Sequence, residues 1–565
     1  MRCLLQISST LLALLLAACG GGGGGGDAPP GPVGGLDDPS AYSSQPTASL
    51  PGAVEAAAVT AQRITLGGRE IAYTATAGHL IARDPVAGAA QASIFYVAYT
   101  ADATAADPAR RPVTFFYNGG PGSASVWLHL GSFGPKRLVT GVPATTAARP
   151  FPLVDNADSL LDTTDLVFVN AVGSGRSQAI APYRNQDFWG VDADAALFRD
   201  AIRRWLALNG REASPFFLYG ESYGGPRTAV LARRLQEAGL KPAGLVLQSP
   251  ALDYNSNCGV SSANSIACTG YLPSYAAAGA WHRLTKPVLA DTASDAETDA
   301  WVAGARDYAA TTYAPAVQAW LSGKVPAPQL WQPLADLTGL PAAQWQASFN
   351  LGPQIYRERL IEGQLIGRYD ARMRAPVGSA LAAEGDPSST WITSSFGSAI
   401  DAYLRDTLGY RNASTYVLLS NAIQTWDFSH DGRALPDTVP DLAAALAADP
   451  ALRVLAVSGL HDLATPFNVT ETDLARLGSD RVSVRNYPGG HMSFLDDGTR
   501  PRQKADLVAF MTAALAAAPV RRAPLAARPL PLPDRAGAPL AAAAGLLQPE
   551  PAMQAPMRDP WVPPR

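Results

Sequence analysis

Apolar residues along this chain fall into two kinds of run. Short stretches with little polar interruption recur at Pro112–Tyr117, Asp165–Asn170, Phe216–Tyr219, Gly244–Gln248 and Leu452–Gly459. Runs of that length read as strands buried on both faces. Val482–Tyr487 continues the series, and Arg63–Leu66, Glu70–Ala75 and Ile94–Val97 precede it as an antiparallel start, with Gly67-Gly68 as a hairpin turn. Between the strands apolar residues return at helical spacing. Residues 192–208 present Ala196, Leu197, Ile202, Trp205 and Leu206, and further helices are expected at 228–239 and 504–517. Strands alternating with helices, with glycine turns after the strands, predict an α/β fold on a largely parallel sheet. Its ligand is then expected at the carboxyl ends of the strands.

The pattern lapses from 256 to 416, which is alanine-rich, aromatic and helical. It reads as an insertion, or cap, between a first core part at 60–255 and a second at 417–518. Outside the core the chain changes character. Arg2 and the apolar Leu4–Ala18, too short to span a bilayer comfortably, lead to Leu16-Ala17-Ala18-Cys19 and the glycines Gly20–Gly26. Residues 1–19 resemble a bacterial lipoprotein signal. Cleavage would leave a lipidated Cys19, on a flexible Gly/Pro-rich tether over 20–59. An ordinary secretory leader is the alternative, and either one exports the chain. The expectation is a membrane-anchored lipoprotein, facing the periplasm or the cell surface, that touches the membrane by this anchor alone. Residues 519–565 are Ala/Pro-rich and expected to be disordered.

Composition narrows the partners. The 565 residues carry a net charge of only −4 and no basic run, so no nucleic-acid partner is implied. With Cys3 in the leader and Cys19 lipidated, Cys258 and Cys268 remain. In an exported protein such a pair favours a disulfide closing a short loop, with two free thiols as the alternative. No metal or organic cofactor is implied.

The chemistry centres on Gly220-Glu221-Ser222-Tyr223-Gly224, which follows a buried strand and precedes a helix. That is the G-x-S-x-G nucleophile elbow in its required setting. A serine nucleophile needs a base and a group to orient the base. Two later strands end in loops that supply them, Leu460-His461-Asp462 and Gly489-Gly490-His491. Ser222, Asp462 and His491 thus occur in the chain order of α/β-hydrolases. His491 would take the serine proton, and Asp462 would hold its tautomer. His461 and His430 are rival bases, the first disfavoured as Asp462's neighbour and the second for want of a preceding strand. The oxyanion needs two donors. The Tyr223 N–H supplies one, and the turn Asn118-Gly119-Gly120-Pro121-Gly122 the other, with Gly120 as donor.

Together, Asn118–Ser123, Gly220–Gly225, Gly459-x-x-Asp462 and Gly490-His491 resemble the serine carboxypeptidase family over about residues 60–515. The resemblance implies an α/β-hydrolase fold with a helical insertion, and removal of C-terminal residues from peptides at acid pH. It implies recognition of the substrate carboxylate by Asn118, Gly119 and Glu221. A protonated carboxylic acid at Glu221 can donate to that carboxylate. The family's second glutamate falls on Ser132, and its cysteine after Pro-Gly is Ser123. The Ser132 departure keeps open a second reading, an esterase or acyltransferase on the same fold. A third, a non-catalytic surface binding protein, has the intact triad and both oxyanion turns against it.

Overall fold

Each expected sheet run is a strand, and the strands alternate their side chains between two cores. The computed structural model describes residues 34–102, 110–260, 266–289 and 295–517. The leader with Cys19, and the tail from 519, lie outside the described residues, which all fall in one unit. The ten strands of the main sheet are β1 (Ala56–Leu66), β2 (Arg69–Arg83), β3 (Ala90–Ala101), β4 (Val113–Tyr117), β5 (Asp165–Val169), β6 (Gln178–Ala179), β7 (Phe216–Glu221), β8 (Gly244–Gln248), β9 (Arg453–Gly459) and β10 (Val482–Tyr487). They lie in the order β10-β9-β8-β7-β4-β5-β3-β2-β1, with the short β6 paired to β3. From β10 to β5 every neighbour is parallel, whereas β3, β2 and β1 run antiparallel. This is the α/β-hydrolase fold.

The two-residue period of a strand decides which side chain enters which core. Phe115, Tyr117, Phe216, Leu218, Leu245 and Leu247 point into one. Phe116, Phe217, Tyr219, Val246 and Leu455 point into the other. The first face is covered by α1 (Val191–Leu208) and α2 (Gly224–Glu237), where the Trp205 ring meets Phe115 edge-on at 5.5 Å. The second is covered by α3 (Pro387–Asp406) and α4 (Arg500–Ala517). Helix α2 starts at Gly224, earlier than apolar spacing indicates, because glycines at 224 and 225 carry no side chain for the spacing to register.

Two expectations are corrected. The sequence predicts a flexible tether to 59, yet residues 34–59 are packed. Leu36–Asp37 pairs in parallel with Tyr410–Arg411, Leu50 is buried, and β1 begins at Ala56. The grip is polar. Asp38 accepts from Tyr42 Oη at 2.8 Å and Tyr410 Oη at 2.6 Å, and its backbone carbonyl accepts from Asn412 Nδ2 at 2.9 Å. Such contacts leave no hydropathy signal, so the segment reads as linker. The insertion is also shorter than 256–416. Its own core joins residues from Tyr271 to Ala371 with Leu463. Helix α3 instead packs Trp391, Phe396, Ile400 and Tyr403 into the sheet's second core, with Phe396 5.0 Å from Trp127. Cys258 and Cys268, at the entrance of the insertion, are joined by a disulfide.

Residues 34–59 thus form a strap fastened at Tyr410–Asn412, and its grip can be tested by stability. Asp38→Ala leaves two largely buried hydroxyls without their charged acceptor and should cost about 2 kcal/mol. Thermal unfolding should show Tm lowered by a few degrees, while Glu70→Ala, whose ion pair with Arg63 is exposed, leaves Tm unchanged.

Candidate active site

The nucleophile's backbone comes first. Ser222 follows the last residue of β7 with φ at +61°, the left-handed region that non-glycine residues avoid. Its N–H donates to the Gln248 carbonyl at 2.9 Å, and its carbonyl accepts from Gly225 N at 2.9 Å. The turn has no room to relax. A Cβ on Gly220 would lie 2.1 Å from the Gly224 carbonyl oxygen, and one on Gly225 would lie 2.4 Å from Pro250 Cβ. Ser222 itself stays part-exposed while Glu221 and Tyr223 are buried.

The neighbouring strands bring the partners to the same edge of the sheet. His491 Nδ1 lies 2.8 Å from Asp462 Oδ2, with both side chains buried. A proton held on Nδ1 toward the carboxylate leaves Nε2 as the basic nitrogen. Burial alone would depress the imidazole's pKa. The Asp462 carboxylate, helped by Glu221, outweighs that and holds it above its ordinary value. Asp462 Oδ1 accepts from Ala464 N at 2.7 Å and Thr465 N at 3.0 Å. The two loops touch: a Cβ on Gly459 would lie 2.1 Å from the Gly490 carbonyl oxygen. The His491 loop is fastened to the end of β8, since Gln248 Nε2 and Ser249 Oγ donate to the His491 carbonyl at 3.1 and 2.8 Å.

The rival histidines serve elsewhere. His461 is buried against Trp281, and burial pushes its pKa well below the usual value. His430 lies between Asp441 at 2.9 Å and Asp192 at 3.2 Å, and the Asp441 hydrogen bond raises its pKa.

The turn after β4 is pressed against the elbow. A Cβ on Gly119 would lie 2.4 Å from Tyr223 N and 2.7 Å from the Glu221 carbonyl oxygen. Gly120 has φ at +99°. Among the described residues the N–H groups of Gly119, Gly120 and Tyr223 donate to no other group, so each is free for a ligand oxygen. Glu221 is 3% exposed, and among the described residues its Oε2 has no hydrogen-bond partner. Burial pushes its pKa up to about 7. The His491 charge and a hydrogen bond with Asn118 pull against that, while Asp462 adds to it. Ser132 offers Glu221 no proton, because its hydroxyl donates to the Leu128 carbonyl at 2.6 Å. Ser123, in place of a cysteine, accepts from Trp127 Nε1 at 2.9 Å.

Three contributors were missed from sequence. Thr465 Oγ1 lies 2.9 Å from Asp462 Oδ2, 3.0 Å from His491 Nδ1 and 2.8 Å from the Ser249 carbonyl, so its one proton serves the carboxylate or the carbonyl. Its only sequence signal is a threonine three residues after the aspartate, a common turn pattern. Gln248 reads simply as the end of a strand. Tyr369 arrives from the insertion: its carbonyl accepts from His491 N at 2.6 Å, and its ring lies 4.9 Å from the imidazole. Leu463 N donates to the Arg368 carbonyl and Ala371 N to the His461 carbonyl, each at 3.0 Å. The insertion is thereby stitched to both catalytic loops. The ensemble is that of a serine hydrolase.

Comparison with known proteins adds one family match. The profile of the serine carboxypeptidase family matches residues 69–248, a stretch holding the Asn118 turn and the elbow. No curated protein matches the chain. Similar solved structures include a proline iminopeptidase from Mycobacterium smegmatis, 16% identical over 81% of this chain and 100% of that one, with a TM-score of 0.29. A thermophilic esterase from Thermogutta terrifontis is 12% identical over 77% and 98%, with a TM-score of 0.32. A monoglyceride lipase from Saccharomyces cerevisiae is 11% identical over 75% and 92%, with a TM-score of 0.32. At such scores the likeness bears on neither activity nor substrate.

Two substitutions test the assembled dyad. Asp462→Asn should lower kcat by about 10⁴, through loss of the correct tautomer. Thr465→Val should lower it about tenfold, the value of one hydrogen bond, with KM little changed. Steady-state kinetics on an activated ester reads both.

Proposed function

We propose that this chain is a serine carboxypeptidase, exported and held at a membrane through lipidated Cys19, that removes C-terminal residues from peptides. The observation that carries the reading is Glu221: a buried carboxyl beside the nucleophile, with one oxygen unpartnered among the described residues and its pKa raised to about 7. A structural carboxylate in that position would have its oxygens paired. A carboxylic acid awaiting a second carboxylate would not.

The chemistry follows from the atoms. The terminal carboxylate of the peptide is received by protonated Glu221, the Asn118 amide and the Gly119 N–H. Ser222 Oγ attacks the last peptide carbonyl as its proton passes to His491 Nε2. The oxyanion forms against the N–H groups of Gly120 and Tyr223, each such donor being worth roughly 3–4 kcal/mol in acyl transfer. The imidazolium, stabilised by Asp462, gives its proton to the departing amine, and the C–N bond breaks. Water then repeats the sequence on the acyl-enzyme and restores Ser222. An esterase or acyltransferase is the second reading. It is favoured by position 132 being a serine, whose hydroxyl donates to the Leu128 carbonyl and shares no proton with Glu221.

The two groups set opposite limits on pH. His491 must be neutral, so kcat falls as pH drops through its raised pKa. Glu221 must be protonated, so KM for peptides rises as pH climbs past about 7. A neutral ester, with no carboxylate to receive, should lack that alkaline rise, and Glu221→Gln should abolish it for peptides. Mass spectrometry of an N-terminally blocked peptide, incubated with a soluble chain that keeps the strap from residue 34, tests the activity. Stepwise loss of C-terminal residues, absent with Ser222→Ala, is expected. An intact peptide alongside turnover of esters would transfer the assignment to the second reading.

A further inference from the structure

In the Asn118 turn the donors belong to Gly119 and Gly120, and glycines have no side chains by which to be held. Donors that stabilise charge must nevertheless be aimed in advance. Something outside the turn has to fix it. On the elbow helix, one turn past the nucleophile, Arg227 is wholly buried at 0% exposure. Its Nη1 donates to the Asn118 carbonyl at 2.6 Å. Its Nε and Nη2 meet Asp194 of α1 at 2.5 and 3.3 Å. Its guanidinium lies over the rings of Phe198, Tyr223 and Tyr117, at 4.5, 5.2 and 5.6 Å. A buried arginine is a costly way to join two helices. The same helices are also joined by the more exposed Arg234–Asp192 pair, which reaches no part of the turn.

We propose that Arg227, oriented by Asp194, is a positioning residue that seats the Asn118 turn against the elbow, aiming the Gly119 N–H directly and fixing the base from which the Gly120 N–H reaches the oxyanion. In a trans peptide the carbonyl and the following N–H point in opposite directions. Clamping the Asn118 carbonyl toward α2 therefore turns the Gly119 N–H away from α2. Two further bonds complete the hold: Leu128 N donates to Asn118 Oδ1 at 3.2 Å, and Ser123 N donates to the Gly119 carbonyl at 3.0 Å. Of the three clamps only Arg227 comes from the helix that follows the nucleophile. It therefore sets the turn relative to Ser222 rather than within its own loop. The guanidinium fork is what allows this, since one edge serves Asp194 while the remaining nitrogen reaches the carbonyl. A lysine could keep the ion pair but not both contacts.

This inference rests on acyl transfer by Ser222, and the test separates the two. Arg227→Lys keeps the charge beside Asp194. Arg227→Met combined with Asp194→Leu removes both charges, so that neither is left buried and unpaired. Each variant is normalised by fluorophosphonate titration of active sites, and its Tm is recorded. Both should lose about a hundredfold in kcat on an activated ester, with KM within about threefold. Affinity for a peptide boronic acid, which mimics the tetrahedral intermediate, should fall in parallel. Arg234→Met, which breaks the other pair between the same helices, should leave kcat unchanged. If the folded variants keep kcat and boronate affinity within about threefold of the parent, Arg227 is only a structural residue and the proposal falls. Loss that follows Tm and disappears on normalisation overturns it equally. A parent enzyme with ester turnover but no peptide trimming refutes the carboxypeptidase reading while leaving Arg227 tested on the ester. A parent with no Ser222-dependent turnover refutes both.

Discussion

The site depends on the close approach of two backbone turns. The elbow holds Ser222 in a left-handed conformation, and the Asn118 turn is pressed against it with no space for a side chain at Gly119 or Gly220. Strain of this kind persists only where its surroundings over-determine it. Here they do: β7 is hydrogen-bonded on both sides in parallel register, by β4 and β8, and is buried on both faces. The turns at the ends of β4 and β7 start from neighbouring strands in fixed register, so the nucleophile and its oxyanion donors are positioned by the sheet itself.

Charge is organised around the same point. His491 and Asp462 form one buried pair, and Glu221 sits close enough for each of the three to shift the pKa of another. The ionised Asp462 favours the imidazolium that forms during catalysis and disfavours ionisation of Glu221. One carboxylate thus supports both a base and a neutral acid, two roles separated by environment. The insertion is part of this arrangement rather than a simple cover, since the carbonyls of Arg368 and Tyr369 accept from the backbones of both catalytic loops.

Much of the core was legible in the sequence because it rests on features that sequence records. Strands buried on both faces write themselves as apolar runs, such as Val113–Tyr117 and Phe216–Tyr219, and an elbow writes itself as spaced glycines. The order Ser222, Asp462, His491 then assigned the loops. What escaped leaves no such record. The strap at 34–55 is held by Asp38, Asn412 and backbone pairing, in a segment whose Pro and Gly content reads as linker. Helix α3 has an apolar stripe, but a stripe does not say which core it enters, and its place in the chain groups it with the insertion. Arg227 and Thr465 act through single polar atoms whose direction only the fold determines. Arginine in particular reads as a solvent-facing residue until its burial is known.

The most direct measurement is intact-mass analysis after treatment with a fluorophosphonate, followed by peptide mapping of the adduct. A single adduct is expected, on Ser222, formed rapidly at neutral pH, slowed on acidification as His491 gains its proton, and lost in His491→Ala. An unlabelled protein, or an adduct on another serine, would contradict the claim that this elbow carries a working nucleophile.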